Sequence, residues 1–407
     1  MKRISIIFIT ILAFLFLSAN ILAQGNNDTS GSKPILKISG VTSGAIQYLK
    51  EDNDLHNLPT VPWGFQSARG NLNFSAHVAD GINIFFNAFL SSNHHVGQWY
   101  DDEGYITISK LPESADVLGL NNSIFKYVTL KAGFIPVDYG LWWEIRSDNA
   151  DVQRNPLIGN YIVDANDVEP SVELKTKPAL FNALVAFGNG TTTGDFTPGR
   201  GNEVNAKVWL DMNKKFDLAA SIYRSNQANN GTGYPTGGST TDLYAGNRSG
   251  SQYSGIFGDN PEAGDIAPEA GQNVTAYQFD GYYNALPFKV FGMYGYTKDA
   301  DINGSAPGTP QESWSYYGGD ITYYLTPALY VAGRYSAASS SMYKGINVSA
   351  NLVNANRIQI GAGVWVTKTM LLKLEYVNQQ YKNFPVSSGY GNNARFHGFT
   401  TQFSVAF

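Results

Sequence analysis

The chain ends Arg395-Phe396-His397-Gly398-Phe399-Thr400-Thr401-Gln402-Phe403-Ser404-Val405-Ala406-Phe407. Apolar Phe399, Phe403, Val405 and Phe407 alternate there with polar Thr400, Gln402 and Ser404. A period of two belongs to a β-strand with unlike faces. One face here suits hydrocarbon and the other water, which is how a barrel strand crosses a bilayer. The aromatic terminus makes it the expected assembly strand, presenting Phe399, Phe403, Val405 and Phe407 to barrel-assembly machinery.

At the opposite end, Lys2 and Arg3 precede an almost purely apolar run from Ile4 to Leu17, and Ala23 places a small residue before Gln24. That is the layout of a signal peptide over 1–23, its apolar run shorter than the ~20 residues a spanning helix needs. Residues 24–33, rich in Gly, Asn and Ser, read as a short disordered lead-in. The chain has no cysteine, so neither a lipid on a processed N-terminal Cys nor a disulfide framework can hold it, and anchoring falls to the fold. Losing Lys2 and Arg3 takes the formal charge from -5 to about -7. With no basic stripe and no base-stacking module, nucleic acid is excluded as a partner.

Alternating segments fall near residues 35–49, 65–78, 82–92, 103–110, 126–135, 167–176, 179–189, 202–212, 215–226, 273–285, 287–298, 313–325, 328–339, 354–366, 369–382 and 395–407. Short connections at Ala79-Asp80-Gly81, Lys177-Pro178, Asn213-Lys214, Leu286, Thr326-Pro327 and Thr367-Lys368 alternate with long, polar, Gly-rich ones. The link from Leu111 to Ser123 is longer, with room for a helical turn. Strict alternation of short and long connections predicts an all-β, transmembrane, antiparallel up-and-down barrel of about sixteen strands over 34–407. An even strand count puts both termini on the periplasmic side of a bacterial outer membrane.

The two faces can be assigned strand by strand. Val204, Ala206, Val208 and Leu210 alternate with Glu203, Asn205, Lys207 and Asp211, and Leu372, Leu374 and Tyr376 with Lys373 and Glu375. A charge facing lipid at the bilayer midplane costs about 2–4 kcal/mol, so these groups must face a hydrated interior. Lys131, Glu173, Lys175, Glu203, Lys207, Asp320, Arg334, Lys373 and Glu375 are the expected pore wall. Trp209 and Trp365 take the inward parity. Tyr282, Tyr283, Tyr294, Tyr296, Trp314, Tyr316, Tyr317, Tyr323, Tyr324 and Tyr330 lie near strand ends and read as an interfacial girdle.

The third long connection, about 136–166, mixes Trp142, Trp143, Ile145, Leu157 and Ile158 with Arg146, Asp148, Asp151 and Arg154. The first group wants burial and the second wants water or partners. Folding into the lumen meets both demands, with Glu144, Arg146, Asp148, Asp151 and Arg154 as the expected pore constriction. An external cap or a subunit latch is the alternative.

Two stretches carry a family resemblance. Val128-Thr129-Leu130-Lys131-Ala132-Gly133-Phe134-Ile135-Pro136-Val137-Asp138-Tyr139-Gly140 resembles the strand-to-loop element of phosphate-selective-porin-like outer membrane proteins. Gly361-Ala362-Gly363-Val364-Trp365, turning into Leu371-Leu372-Lys373-Leu374-Glu375-Tyr376-Val377, is similar to their closing hairpin. The resemblance implies a sixteen-stranded barrel, often a homotrimer, narrowed by its third external loop. It does not carry phosphate selectivity, because the expected wall is of mixed sign rather than basic.

Other features point less firmly to function. The connection from Asn226 to Gln272 holds Asp242, Asp259, Glu262, Asp265 and Glu269 without the regular spacing of a calcium loop. His94 and His95 are adjacent on a strand, point opposite ways and read as incidental, so no metal or cofactor is expected. No histidine sits in a nucleophile motif, which argues against an enzyme. The expected function is a porin passing small hydrophilic solutes or ions, with outer membrane lipid and lipopolysaccharide around it. The competing reading is a barrel serving as adhesin, receptor or envelope-complex component.

Overall fold

The computed structural model describes residues 35–407 apart from 56–57, 59, 62, 67, 92–99, 189–201, 214, 227–242, 245–251, 259–263, 267–272, 301–309, 344–345 and 386–391. The expected signal peptide 1–23, lead-in 24–33, the His94-His95 pair and the acids Asp242, Asp259, Glu262 and Glu269 lie outside the described residues.

Within the described residues run sixteen long strands. They are β1 Ile35–Asn53, β2 Arg69–Ala79, β3 Ile82–Ser91, β4 Tyr100–Ile108, β5 Val128–Pro136, β6 Val168–Thr176, β7 Phe181–Gly188 and β8 Asn202–Met212. The second half comprises β9 Phe216–Asn226, β10 Asn273–Ala285, β11 Phe288–Ala300, β12 Pro310–Tyr324, β13 Leu329–Tyr343, β14 Val353–Trp365, β15 Met370–Lys382 and β16 Asn393–Ala406. Each pairs antiparallel with the next, and β16 returns to β1, so the sheet is a closed sixteen-stranded up-and-down barrel. Two-residue strands Gly64–Phe65 and Ile346–Asn347 dock on β1 and β13. In β1, Ile35–Ser43 pair with β2 while Val41–Asn53 pair with β16, the stagger that barrel closure requires.

The closing seam explains several glycines. Gly40 and Gly44 face outward on β1, and a β-carbon at either would lie 2.5 or 2.7 Å from the ring of Phe407 or Phe403. The last aromatics therefore cover bare backbone, and Gly40 and Phe407 exchange hydrogen bonds of 3.1 and 2.9 Å. At Gly398, φ is 151° and a β-carbon would sit 2.1 Å from the Tyr48 carbonyl oxygen.

The barrel is inside out relative to a water-soluble fold. On β8, Glu203, Asn205 and Lys207 are buried, while Val208 is 58% exposed. On β14 and β15, Gln359, Lys373 and Glu375 are buried, whereas Ile360 and Leu374 are exposed by 60% and 52%. Phe399, Phe403 and Phe407 face outward on the same surface. Such a surface is stable only where hydrocarbon covers it.

Boundaries depart from expectation where pairing overrides composition. β1 runs past residue 49 because Lys50–Asn53 continue to pair with β16. β2 starts at Arg69 rather than near 65, since Gly64 and Phe65 leave its path to bridge Gln47 and Ile46. The Leu111–Ser123 link does hold a helical turn, α1 Leu120–Ser123, and Leu111 and Phe125 pack on the outward side chains Leu130, Val172 and Leu174. The girdle reading needs correction: Trp314, Tyr316 and Tyr330 are buried on the inward side, and Tyr282 and Tyr324 share that parity. Tyr283, Tyr294, Tyr317 and Tyr323 do face outward.

Replacing Gly398 with alanine is expected to lower folded yield in detergent severalfold, because the added carbon meets backbone that cannot yield. Heat-modifiable gel mobility reads this directly; wild-type yield would mean the seam tolerates a side chain there.

Candidate functional site

The connection between β5 and β6, Val137 to Asp167, is tethered along its whole length to inward-facing side chains. At its start Asp138 lies between Lys207, in direct contact, and Lys175 at 3.0 Å. Lys207 also donates to Gly140 O at 3.0 Å, and Asn205 donates to Asp138 O at 3.2 Å. Gly140 N reaches Ser221 Oγ at 3.0 Å and Leu141 N reaches Asp280 Oδ2 at 3.2 Å. Gly140 has φ 72°, and a β-carbon there would lie 2.1 Å from Gln278 Nε2, so only glycine lets the chain pass.

The middle folds around one ion-pair network. Arg146, fully buried, donates to both Asp164 oxygens, the shorter bond being 2.7 Å, and lies 3.3 Å from Asp148. Trp142 Nε1 and Asn160 Nδ2 bond the same Asp164 carboxylate at 2.9 and 3.0 Å. Burial pushes the Asp164 carboxyl above its usual range despite these donors. The Arg334 guanidinium stacks 4.7 Å from the Trp142 ring and 4.4 Å from that of Tyr161.

The last part is held by five wall cations and acids. Lys373 donates to the carbonyls of Val152, Asn155 and Leu157 at 2.8, 3.2 and 2.8 Å. Glu375 Oε2 accepts from Ile158 N at 2.8 Å, and Arg334 donates to Gly159 O at 2.6 Å and Asn155 Oδ1 at 2.8 Å. Tyr161 OH donates to Asp320 at 2.8 Å, and Arg357 donates to Asn160 O at 2.8 Å. Asn71 on β2 accepts from Ala150 N at 2.9 Å, and Gln153 reaches Ser404 on β16 at 3.2 Å. Parts of the β9–β10 connection add to this: Ile266 N donates to Ile162 O and Asn166 N to Leu243 O, both at 2.8 Å, and Gln47 donates to Ser254 O at 2.6 Å.

This arrangement revises the expected roles. Arg146 and Asp148 do not rim an opening, because both are buried as internal partners of the connection. Glu144 is exposed, and Arg154 and Asp151, 3.1 Å apart, keep side-chain exposures of 38% and 32%. On the wall, Glu173, Glu203, Lys207, Asp320, Arg334, Lys373 and Glu375 are buried rather than washed by lumen water. Lys131 and Lys175 remain partly accessible; Lys131 lies 3.7 Å from Glu173 and over the Tyr105 ring. Sequence reading missed Asp138, Asn155, Asn160, Asp164 and Arg357. Arg357 could have been found, since it lies next to outward Ile358 and shares parity with Gln359. Among the described residues no group of three or more His, Asp or Glu side chains could hold a metal ion.

No protein-family model matches the chain, and no curated protein matches it. Solved structures match in shape. The anion-selective porin from Comamonas acidovorans aligns over 92% of this chain and 100% of its own, with TM-score 0.58 and 12% identity. This chain has the fold of a porin-like outer membrane barrel. OmpF of Salmonella typhi, in a complex with daunomycin, aligns over 91% of this chain and 97% of its own, with TM-score 0.54 and 12% identity. OmpT of Vibrio cholerae aligns over 94% and 100%, with TM-score 0.53 and 9% identity. No family match supports the phosphate-selective-porin resemblance of residues 128–140 and 361–377.

Arg146→Met leaves the buried Asp164 without its cation and should cost on the order of 3 kcal/mol, read as a lower unfolding temperature and new protease cleavage within 137–167; unchanged stability and cleavage would remove the network from its holding role. At Asp138, burial would raise the carboxyl, but Lys207 and Lys175 outweigh it and hold it well below the usual range. A depressed acid contributes its stability above its unfolded pKa of about 4 and loses it as the pH falls through the lower folded value. Protection of the connection from protease should therefore be the same at pH 5 as at pH 7, and Asp138→Asn should remove it at both.

Proposed function

We propose that this chain is an outer membrane porin, a passive diffusion channel for small hydrophilic solutes or ions in which the β5–β6 connection lies across the lumen and sieves what passes. One observation carries the reading: the tethers of that connection end on inward-facing side chains of β2, β6, β8, β9, β10, β12, β13, β14, β15 and β16. A segment on the outside of the barrel or above one rim has no route to partners so distributed. The mixed signs at its water-facing points, Glu144, Asp151 and Arg154, with Lys131 and Lys175 on the wall, give the passage a field without a single dominant charge.

The bore is narrow on this reading. Inward-facing residues toward the long connections, such as Tyr223, Thr297, Trp314, Gln379 and Phe396, are buried, part of their cover coming from Leu243, Tyr244 and Gln252–Phe257 of the β9–β10 connection. Small ions therefore fit the passage better than sugars or peptides. Assembly as a homotrimer belongs to the same proposal; one OmpT structure of Vibrio cholerae with this fold is a trimer form.

Planar-bilayer recording tests it. Stepwise single-channel conductance is expected, raised by removal of residues 252–258. The double variant Glu144→Gln, Asp151→Asn should move the reversal potential in a salt gradient toward anions, and Arg154→Gln toward cations. Folded protein that inserts without conductance would overturn the porin reading, and reversal potentials unmoved by both variants would take these residues out of the passage.

A further inference from the structure

On the outer wall, at the long-connection end of β1, β15 and β16, the apolar surface gives way to a basic and amide-rich column. Its lower edge is aromatic: Phe399 and Tyr376 lie with ring centroids 5.1 Å apart, and Tyr48 stands opposite Phe399 in the β1–β16 register. Below them the outward positions of β16 are Thr401, Phe403, Val405 and Phe407. From Phe407 to Phe399 is roughly 26 Å of strand at ~3.3 Å per residue, or ~20 Å along the membrane normal at ~40° tilt, close to the ~25 Å height of an apolar band between aromatic girdles. The next outward residue, His397, is level with Lys50 and Asn378, and the one beyond, Arg395, with Asp52 and Gln380. These side chains stand at the height of lipid headgroups.

The column is built to take a ligand. Asp52, Asp54, Gln380, Lys382, Arg395 and His397 border a pocket of about 530 Å³. Arg395 spends Nε on Asn378 Oδ1 at 2.8 Å, which leaves its two Nη amines pointing to no protein acceptor among the described residues. Lys50 stands 5.5 Å from the Tyr48 ring centroid, and among the described residues neither Lys50 nor Lys382 has an ion pair. Asp52 already has an interaction of its own within the chain.

We propose that this column binds the phosphorylated sugar headgroup of an outer-leaflet glycolipid, with Lys50, Arg395 and Lys382 on phosphate and Asn378 and Gln380 on sugar hydroxyls. Cations without acceptors at headgroup depth select phosphate, and the interleaved carboxamides favour a sugar phosphate over a bare one. The inference rests on the outer membrane reading but not on conductance.

The test uses the full chain folded in detergent, with unfolding temperature and native mass spectrometry as readouts and four probes. These are bis-phosphorylated lipid A, dephosphorylated lipid A, phosphatidylglycerol and inorganic phosphate. Lipid A should raise the unfolding temperature and remain bound at least tenfold more tightly than the other three. Lys50→Gln, Lys382→Gln, Arg395→Gln should lose that shift while keeping the strand spectrum and the single-channel conductance of the parent. Should the triple variant fold poorly, Lys50→Glu alone, at an exposed position, should weaken binding severalfold. An unchanged shift in a folded variant, or equal binding of the dephosphorylated lipid or phosphatidylglycerol, would overturn the proposal. Lipid binding without conductance would leave this site standing and remove the channel, whereas conductance without lipid selectivity would do the reverse.

Discussion

The structure depends on one constraint: in hydrocarbon no water is available to a backbone N–H or C=O, so a sheet must leave no edge. Closure of β1 on β16, from Val41 opposite Ala406 to Asn53 opposite Ala394, meets it. The seam is where side chains would obstruct closure, and there the chain has glycine: Gly398 beside the Tyr48 carbonyl, Gly40 and Gly44 beneath the rings of Phe407 and Phe403. The C-terminal aromatics thus serve both as outward-facing surface and as cover for backbone at the closing seam.

Once the sheet closes, the solvent on its two sides differs, and every strand residue belongs to one side. The interior is not filled as in a soluble core. Its polar wall is satisfied by another part of the same chain, with Lys373 spread over three carbonyls of the β5–β6 connection and Arg334 shared among Asp320, Gly159 and Asn155. Buried charges of this kind are tolerable only when paired and hydrogen-bonded. The same bonds that satisfy the wall hold the connection in place, so the fold of the barrel and the path of its third long connection are coupled.

The barrel was legible because its signal is local. Val204, Val208, Glu203 and Lys207 reveal their faces by spacing alone, and short turns such as Asn213-Lys214 reveal where one strand ends and the next begins. The tethers were not legible because they are not periodic. Nothing in the spacing of Arg146 says that its partner is Asp164 rather than water, and a charged loop residue looks the same whether it rims an opening or is sealed inside. Aromatics misled for a related reason: Trp314 and Tyr316 suit an interfacial girdle by composition, but a ring with one polar atom is equally at home against an inward Glu312 or Gln278. Parity, carried through from Asp320, would have separated the two.

The central claim is that neighbouring residues on a strand meet lipid and protein interior by turns. Because the chain has no cysteine, single cysteines can be placed one by one at residues 203 to 208 of β8, spin-labelled in bilayers, and scored for collision with oxygen and with a water-soluble nickel complex. High oxygen and low nickel access at 204, 206 and 208, with both low at 203, 205 and 207, is the result this account predicts. Nickel access that is high and uniform along the strand would contradict it.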